Sequence, residues 1–124
     1  MQLNHERPDY AYSLRAADGL SAKVNDQILH QSFILTPATL QTDWPASHAD
    51  ALDAATLQPL LALDPEIVLL GTGARQVFPP AEAMAACLTR GVGIEVMTND
   101  AAARTFHILA SEGRRVVAGF ILGS

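Results

Sequence analysis

The chain has 124 residues, of which 49% are hydrophobic and 17% are charged, and its formal net charge is −5. This balance predicts one folded domain over residues 1–124 and excludes a largely disordered chain, which would need lower hydrophobicity and higher net charge. The basic residues are scattered apart from Arg114-Arg115, so nucleic acid is not an expected partner, because phosphate binding needs a concentrated basic surface.

The sequence shows no pattern of a targeting or membrane-spanning segment. Its first eight residues lack the basic start and apolar stretch of a signal peptide, and no apolar run approaches the roughly 20 residues of a membrane span. Cys87 is the single cysteine, which excludes an internal disulfide and fits a reducing compartment. We therefore expect a cytoplasmic protein without membrane insertion, in which residues 1–9 form a disordered or extended arm.

The first third of the chain has the alternation and turn signals of β-structure. Residues 10–15 alternate in polarity, and turn signals follow at Asp18-Gly19 and Asn25-Asp26. Two further short strands, at residues 33–35 and 39–44, are each bounded by a proline. An antiparallel β-region is predicted here.

From residue 46 the pattern changes to alternating helices and strands. Three leucines between residues 57 and 61 share one helical face. A cap at Thr56 would place Pro59 in the first turn, whereas a helix that begins at Asp53 would hold Pro59 in its interior and be kinked. Trp44, just before this helix, is interpreted as a cap on the core.

The apolar run at residues 67–70 organises the rest of the fold. Because it is short and bounded by Pro65 and Gly71, it predicts a strand that is buried on both faces at the centre of a sheet. Further strands are predicted at residues 94–97 and 115–122.

Two more helices complete the predicted elements, which gives three helices in all. One enters at Pro79-Pro80 and stops at Gly91, and the other is capped by Thr98 or Asn99 and ends at Gly113. Their predicted buried stripes are Met84, Cys87 and Leu88 in the first, and Ala102, Phe106, Leu109 and Ala110 in the second.

A candidate site follows from the predicted topology. The strands at residues 67–70 and 94–97 are joined through one helix, which predicts a parallel pair whose C-terminal ends share one edge of the sheet. Open α/β sheets usually bind ligands at such an edge. The candidate binding residues are Gly71, Thr72, Gly73, Arg75, Gln76, Thr98, Asn99 and Arg104. In this hypothesis the glycines expose backbone, and the arginines bind an anion or a partner's carboxylate beside two helix N-termini.

These residues also have a purely structural interpretation, which stays open at this point. The two glycines can serve a tight turn only, and the arginines can be exposed or paired with Glu82 or Asp100. Gln76 stands where a dinucleotide fingerprint needs its third glycine, and no Walker lysine follows. The histidines and Cys87 have no metal-ligand spacing, and there is no Gly-x-Ser-x-Gly elbow. We therefore predict no catalytic set, no metal and no cofactor.

Four segments of the sequence resemble a known family. They are residues 65–73, 93–98, 102–106 and 112–119. They are similar to the Mth938-like family of small uncharacterised bacterial and archaeal proteins, whose mitochondrial branch includes complex I assembly factor three. The resemblance covers about residues 23–123 and implies a three-layer α/β domain with a mixed central sheet. It also implies an unknown activity in bacteria and a protein-binding assembly role in mitochondria.

Two functions therefore compete. The first is a non-catalytic protein-interaction or assembly-factor-like domain, which the resemblance and the lack of a catalytic set favour. The second is a protein or enzyme that binds a small anionic ligand in a cleft between residues 71–76 and 98–104.

Overall fold

The computed structural model describes residues 12–123, which form two β-sheets and three α-helices. The strands are β1 Leu14–Ala17, β2 Ala22–Val24, β3 Gln27–Leu29, β4 Phe33–Leu35, β5 Leu40–Gln41, β6 Ile67–Gly71, β7 Gly93–Met97 and β8 Val116–Phe120. The helices are α1 Ala54–Leu61, α2 Ala81–Leu88 and α3 Asn99–Ser111, with a 3₁₀ turn at Ala49–Ala51. The predicted arm at residues 1–9 lies outside the described residues.

The first three strands form a small antiparallel sheet in the order β1-β2-β3. The tight turn between β2 and β3 holds Asn25 in the left-handed region, at φ 54°, which asparagine tolerates better than most residues. The predicted antiparallel region and its turn at Asn25-Asp26 are therefore confirmed.

The second sheet is mixed and has the strand order β5-β4-β8-β6-β7. Strand β6 pairs in parallel with both β7 and β8, whereas β4 is antiparallel to β8 and β5. The predicted central position of residues 67–70 needs a correction, because β8 occupies the middle and β6 lies one strand in from the edge. Val68, Leu69 and Leu70 are nevertheless fully buried, since elements pack on both faces of β6.

The molecule has three layers around this mixed sheet. Helices α1 and α2 cover one face and form a core with the inward side chains of Val68, Leu70 and Val117. Helix α3 and the small sheet cover the other face, where Phe106 and Phe120 are buried. The three-layer α/β architecture that the family resemblance implied is confirmed. None of the helices in residues 12–123 is long and apolar enough to span a bilayer.

Helix α1 begins with a reciprocal cap between two side chains. The Asp53 carboxylate accepts a hydrogen bond from the Thr56 N–H at 2.9 Å, and the Thr56 hydroxyl oxygen accepts one from the Asp53 N–H at 2.9 Å. The alternative cap at Thr56 is therefore wrong, because this capping box satisfies two N-terminal donors at once. Pro59 consequently lies inside the helix.

Helix α2 buries a narrower stripe of side chains than the sequence predicted. Ala83 and Cys87, four residues apart, are its fully buried side chains, whereas Leu88 is 58% exposed. The prediction that Leu88 is buried is wrong, because a step of one residue turns a side chain about 100° around the helix, away from the core face. Helix α3 is capped by Thr98, as one of the two predicted options.

Trp44 covers the core near the middle of the main sheet. Its indole is 4% exposed, and its Nε1 donates a hydrogen bond to the Thr56 carbonyl at 2.8 Å. A Cβ added at Gly119, in β8, would lie 2.8 Å from the indole ring. Trp44 is thus a core residue, and Gly119 makes the room for it.

Candidate functional site

The C-terminal ends of β6 and β7 lie side by side. Gly71 is in register with Met97, and the Thr72 N–H donates a hydrogen bond to the Met97 carbonyl at 2.9 Å. The parallel pairing from which the site was predicted is therefore confirmed.

Asn99 joins three separate segments at this edge. Its Oδ1 accepts a hydrogen bond from the Gly73 N–H at 3.1 Å, and its backbone N–H donates to the Gly73 carbonyl at 2.9 Å. Its Nδ2 donates to the carbonyls of Asp18, at 2.7 Å, and Ile121, at 2.9 Å. Because Asn99 is fully buried, its amide serves contacts within the chain.

The two glycines of the loop are each required for a different structural reason. A Cβ added at Gly71 would lie 2.3 Å from Asn99 Oδ1 and 3.0 Å from the Phe120 ring. Gly73 has φ 102°, which L side chains rarely adopt. Residues 71–73 and 98–99 are therefore joined by hydrogen bonds at the position where the sequence predicted a cleft between them.

The threonine hydroxyls stabilise the chain turns at the two strand ends. Thr72 Oγ1 lies 2.6 Å from the Arg75 carbonyl and accepts a hydrogen bond from the Val77 N–H at 3.1 Å. Thr98 Oγ1 accepts one from the Ala101 N–H at 3.2 Å, which satisfies a free donor at the start of α3.

Gln76 covers part of the open edge of the main sheet. Gly93 and Met97 direct their backbone groups to β6, through hydrogen bonds with Glu66 and Thr72. Backbone groups of successive residues alternate in direction, so the Val96 carbonyl points to the outer edge of β7. Gln76 Nε2 donates a hydrogen bond to that carbonyl at 2.8 Å.

Arg75 lines a cavity, and the sequence did not predict all of the residues that form its wall. The cavity has a volume of about 220 Å³, and His48, Asp50, Thr72 and Val77 contribute to its wall. Arg75 is exposed and forms no ion pair with a residue in the range 12–123. Sequence reasoning missed His48 and Asp50, because they lie in an irregular segment before α1 and belong to no motif.

Arg104 lies in a different place. It forms an ion pair with Asp100, four residues earlier on α3, and both side chains are exposed. Together these two residues line a groove of about 470 Å³ between α3 and β1. The structure therefore does not bring Arg75 and Arg104 into one site, because α2 and α3 cover opposite faces of the sheet.

Local hydrogen bonds and burial shift the pKa of several side chains in the described part of the chain. Hydrogen bonds from the Leu20 and Ser21 N–H groups lower the pKa of Asp18, and the Arg115 N–H together with the Arg114 guanidinium lowers the pKa of Glu66. Burial raises the pKa of the Cys87 thiol. Within residues 12–123, no three His, Cys, Asp or Glu side chains are grouped to hold a metal ion.

Known proteins resemble this chain over almost its full length. Residues 15–121 match the family described as "Protein of unknown function (DUF498/DUF598)". An NMR structure from Xanthomonas campestris is 58% identical, with a TM-score of 0.85, and the match covers 99% of this chain and 93% of that one. A Bordetella pertussis NMR structure, described as a Mth938-like domain, is 29% identical, with a TM-score of 0.80 and coverage of 98% and 92%.

One curated relative has a name that states a role. The Danio rerio protein called NADH dehydrogenase (ubiquinone) 1 alpha subcomplex assembly factor 3 is 37% identical over 89 residues, which are 71% of this chain and 51% of that protein. The chain spans about half the length of the curated relatives it matches.

Proposed function

Because this chain belongs to the DUF498/DUF598 family of proteins of unknown function, we propose that it is a non-catalytic protein-interaction domain with an assembly-factor-like role. The observation that carries this proposal is the similarity to the Danio rerio assembly factor. The polar groups at the sheet edge agree with it, since Asn99 and Thr72 are engaged in hydrogen bonds within the chain.

Exposed apolar side chains give the proposal candidate contact positions on several faces of the molecule. Five large hydrophobic residues in the described part of the chain are between 53% and 69% exposed, namely Leu20, Ile28, Phe78, Leu88 and Ile108. Aromatic and large aliphatic side chains are the usual anchors of protein interfaces, because they lose much apolar surface to water when a partner binds.

Site-specific crosslinking in cells tests the interaction function. A photoreactive phenylalanine analogue is introduced in place of Phe78 or Ile108 in the full chain, and Glu82, exposed on α2, is the matched control position. A defined protein adduct at an apolar position, reduced at Glu82, supports the proposal. Only heterogeneous adducts of equal yield at all three positions would reject it.

We propose anion binding at the Arg75 cavity as the second candidate function. Its support is an exposed guanidinium beside Thr72 and His48 in a cavity of about 220 Å³. In this second candidate function Arg104 does not contact the anion. The conformation of the loop is stabilised by Gly71, Gly73, Thr98 and Asn99. A carboxylate or phosphate of a small metabolite is the ligand class that a guanidinium recognises.

A pair of arginine variants tests this second function. Calorimetric titration with inorganic phosphate and citrate compares the full chain with Arg75→Ala and Arg104→Ala. A charge-assisted contact contributes about 1.5 to 3 kcal/mol, so Arg75→Ala should weaken binding by at least tenfold while Arg104→Ala leaves it unchanged. Equal affinities in all three proteins, or no binding to any of them, would reject the anion site.

We propose that both candidate functions operate in the cytoplasm. The support is the single cysteine, whose thiol is free and buried. Fractionation of cells that express the full chain, with immunoblotting of each fraction, checks this location, and recovery mainly in the membrane pellet would contradict it.

A further inference from the structure

The groove between β1 and α3 is a concave surface lined mainly by apolar atoms. Its volume is about 470 Å³. Arg15, Ala16 and Ala17 form the wall on β1, and Ala103, Arg104 and Ile108 form the wall on α3. The small alanine side chains leave room in the groove, and Ile108 leaves 53% of its surface exposed.

Strand β1 lines this groove and is an edge strand of the small sheet. Its one partner strand among the described residues is β2, and α3 also contacts it. Ser13 and Asp18 direct backbone groups to β2, since the Ser13 carbonyl accepts from Asn25 and the Asp18 N–H donates to Ser21. The register between β1 and β2 shifts between Leu14 and Ala16, so the alternation of backbone groups holds separately on either side of this bulge. Leu14, next to Ser13, and Ala17, next to Asp18, direct their N–H and C=O groups away from β2.

The charges on the groove walls indicate which charge a partner should carry. Arg15 forms no ion pair with another described residue, and Arg104 shares its charge with the exposed carboxylate of Asp100. Two guanidiniums therefore face one carboxylate, in a protein whose formal net charge is −5. The groove is locally basic on an acidic molecule, which favours a ligand that carries carboxylates.

We propose that this groove binds an extended acidic segment of a partner protein, which adds to β1 as a further strand. Backbone hydrogen bonds to Leu14 and Ala17 hold the segment, its carboxylates contact Arg15 and Arg104, and an apolar side chain packs on Ile108. Strand addition in a groove between an edge strand and a helix is an established mode of peptide recognition. The inference rests on the proposed interaction function and names its surface.

Three synthetic peptides and the isotope-labelled full chain test the proposal. The probe is a capped eight-residue peptide of alternating Glu and Val, and the matched controls carry Lys for Glu, or Pro for one central Val. We expect backbone amide shifts at residues 14–18 and 103–108 and a Kd for the Glu peptide at least tenfold lower than for the Lys peptide. Proline should also weaken binding, because it removes a backbone donor.

A groove-filling variant makes the test specific. Ala103→Gln extends a larger side chain into the groove at a helical position that accepts glutamine, and Ala85→Gln is the matched control at an exposed position of α2 outside the groove. With equal melting temperatures, Ala103→Gln should weaken Glu-peptide binding at least tenfold and Ala85→Gln should not change it.

Four outcomes would overturn the proposal. They are equal affinity for the Glu and Lys peptides, no binding of any peptide, shifts confined to other surfaces, and concentration-dependent shifts at the groove without peptide, which would assign it to a second copy of the chain. If the photo-crosslinked partner is retained in Ala103→Gln, the groove assignment fails while the interaction function stands.

Discussion

At the scale of single residues, the buried side chain of Asn99 joins three segments that are far apart in the chain. Its amide joins the turn after β1, the end of β6 and the segment after β8 through hydrogen bonds of 2.7 to 3.1 Å. The sequence indicates an asparagine at a helix start, which fits a cap or a ligand contact equally well. Its partners Asp18 and Ile121 are distant in the chain. The role of Asn99 in joining these segments therefore depends on tertiary contacts that local sequence patterns do not specify.

A double-mutant cycle tests whether Gly71 and Asn99 form one unit. Gly71→Ala should destabilise the protein by about 1 to 3 kcal/mol, because its Cβ meets Asn99 Oδ1. Asn99→Ala should cost about 3 kcal/mol or more, since it leaves buried partners without hydrogen bonds. The double variant should be less destabilised than the sum, because the clashing oxygen is absent.

Urea unfolding of the four proteins measures this coupling. Gly93→Ala is the control, since a Cβ there meets its nearest atoms only at 3.9 Å, and it should be close to neutral. Additive effects of the two substitutions would contradict a direct contact.

Acid should destabilise the protein through three carboxyl groups. Backbone hydrogen bonds lower the pKa of Asp18, Asp53 and Glu66 in the folded state. The unfolded chain then binds protons first, so this stabilisation is complete above the unfolded values of about 4 and is lost as the pH falls through the folded ones.

Asp53→Asn isolates one of these contributions. Asparagine keeps an acceptor at the cap but has no titrating carboxylate, so the free energy of unfolding should depend less steeply on pH in this variant. Urea titrations between about pH 5 and pH 2.5 check the slope. A slope identical to that of the parent chain would contradict a lowered Asp53 pKa.

At the scale of elements, the pattern of the sequence predicts the chain from β6 to β8 well. Apolar runs bounded by glycine and proline mark the strands, and the buried residues of α3 repeat with helical spacing. Leu88 and the start of α1 are predicted less well, since a rotation of about 100° around the helix axis decides the burial of Leu88 and a competing cap decides where α1 begins. Gln76 has no sequence signal for its role, because its acceptor Val96 is brought near only when β7 joins the sheet.

The edge of β7 gives a prediction about aggregation. Gln76→Ala removes the side chain that covers the Val96 carbonyl, so an unpaired acceptor is exposed on an edge strand and favours pairing with other chains. We expect little change in melting temperature but more dimer and aggregate at high concentration. Light scattering during storage measures this, with Gln58→Ala, an exposed glutamine of α1, as the control. Equal scattering from both variants would contradict the covering role.

At the scale of the whole molecule, the position of β8 in the sheet explains why Arg75 and Arg104 of the predicted site lie apart. The chain moves outward from β6 to β7 through α2 and then returns past β6 to β8 through α3. The two connections therefore run on opposite faces, which places Arg75 and Arg104 in different cavities. The sequence predicts that these strands exist, but it does not state their order, because pairing across the sheet depends on contacts between distant residues.

The buried thiol of Cys87 reports on the opening of this fold. Cys87 is fully buried in the core under α2, so a thiol reagent should react with it only after the core opens. A stability of about 5 kcal/mol implies labelling at least a thousandfold slower in buffer than in concentrated urea. The double variant Cys87→Ala with Ser47→Cys moves the thiol to an exposed position and should react at once. Rapid labelling of native Cys87 would show that α2 opens independently.

The strand that completes the main sheet is also the last of the described strands to be synthesised. Strand β8 lies between β4 and β6 and pairs with both, so these two strands have no common neighbour until residues 116–120 have been synthesised. The nascent chain therefore carries one open edge on β4 and one on β6 until then, a state in which unpaired strands are prone to associate wrongly. The main sheet cannot close before residues 116–120 have left the ribosome.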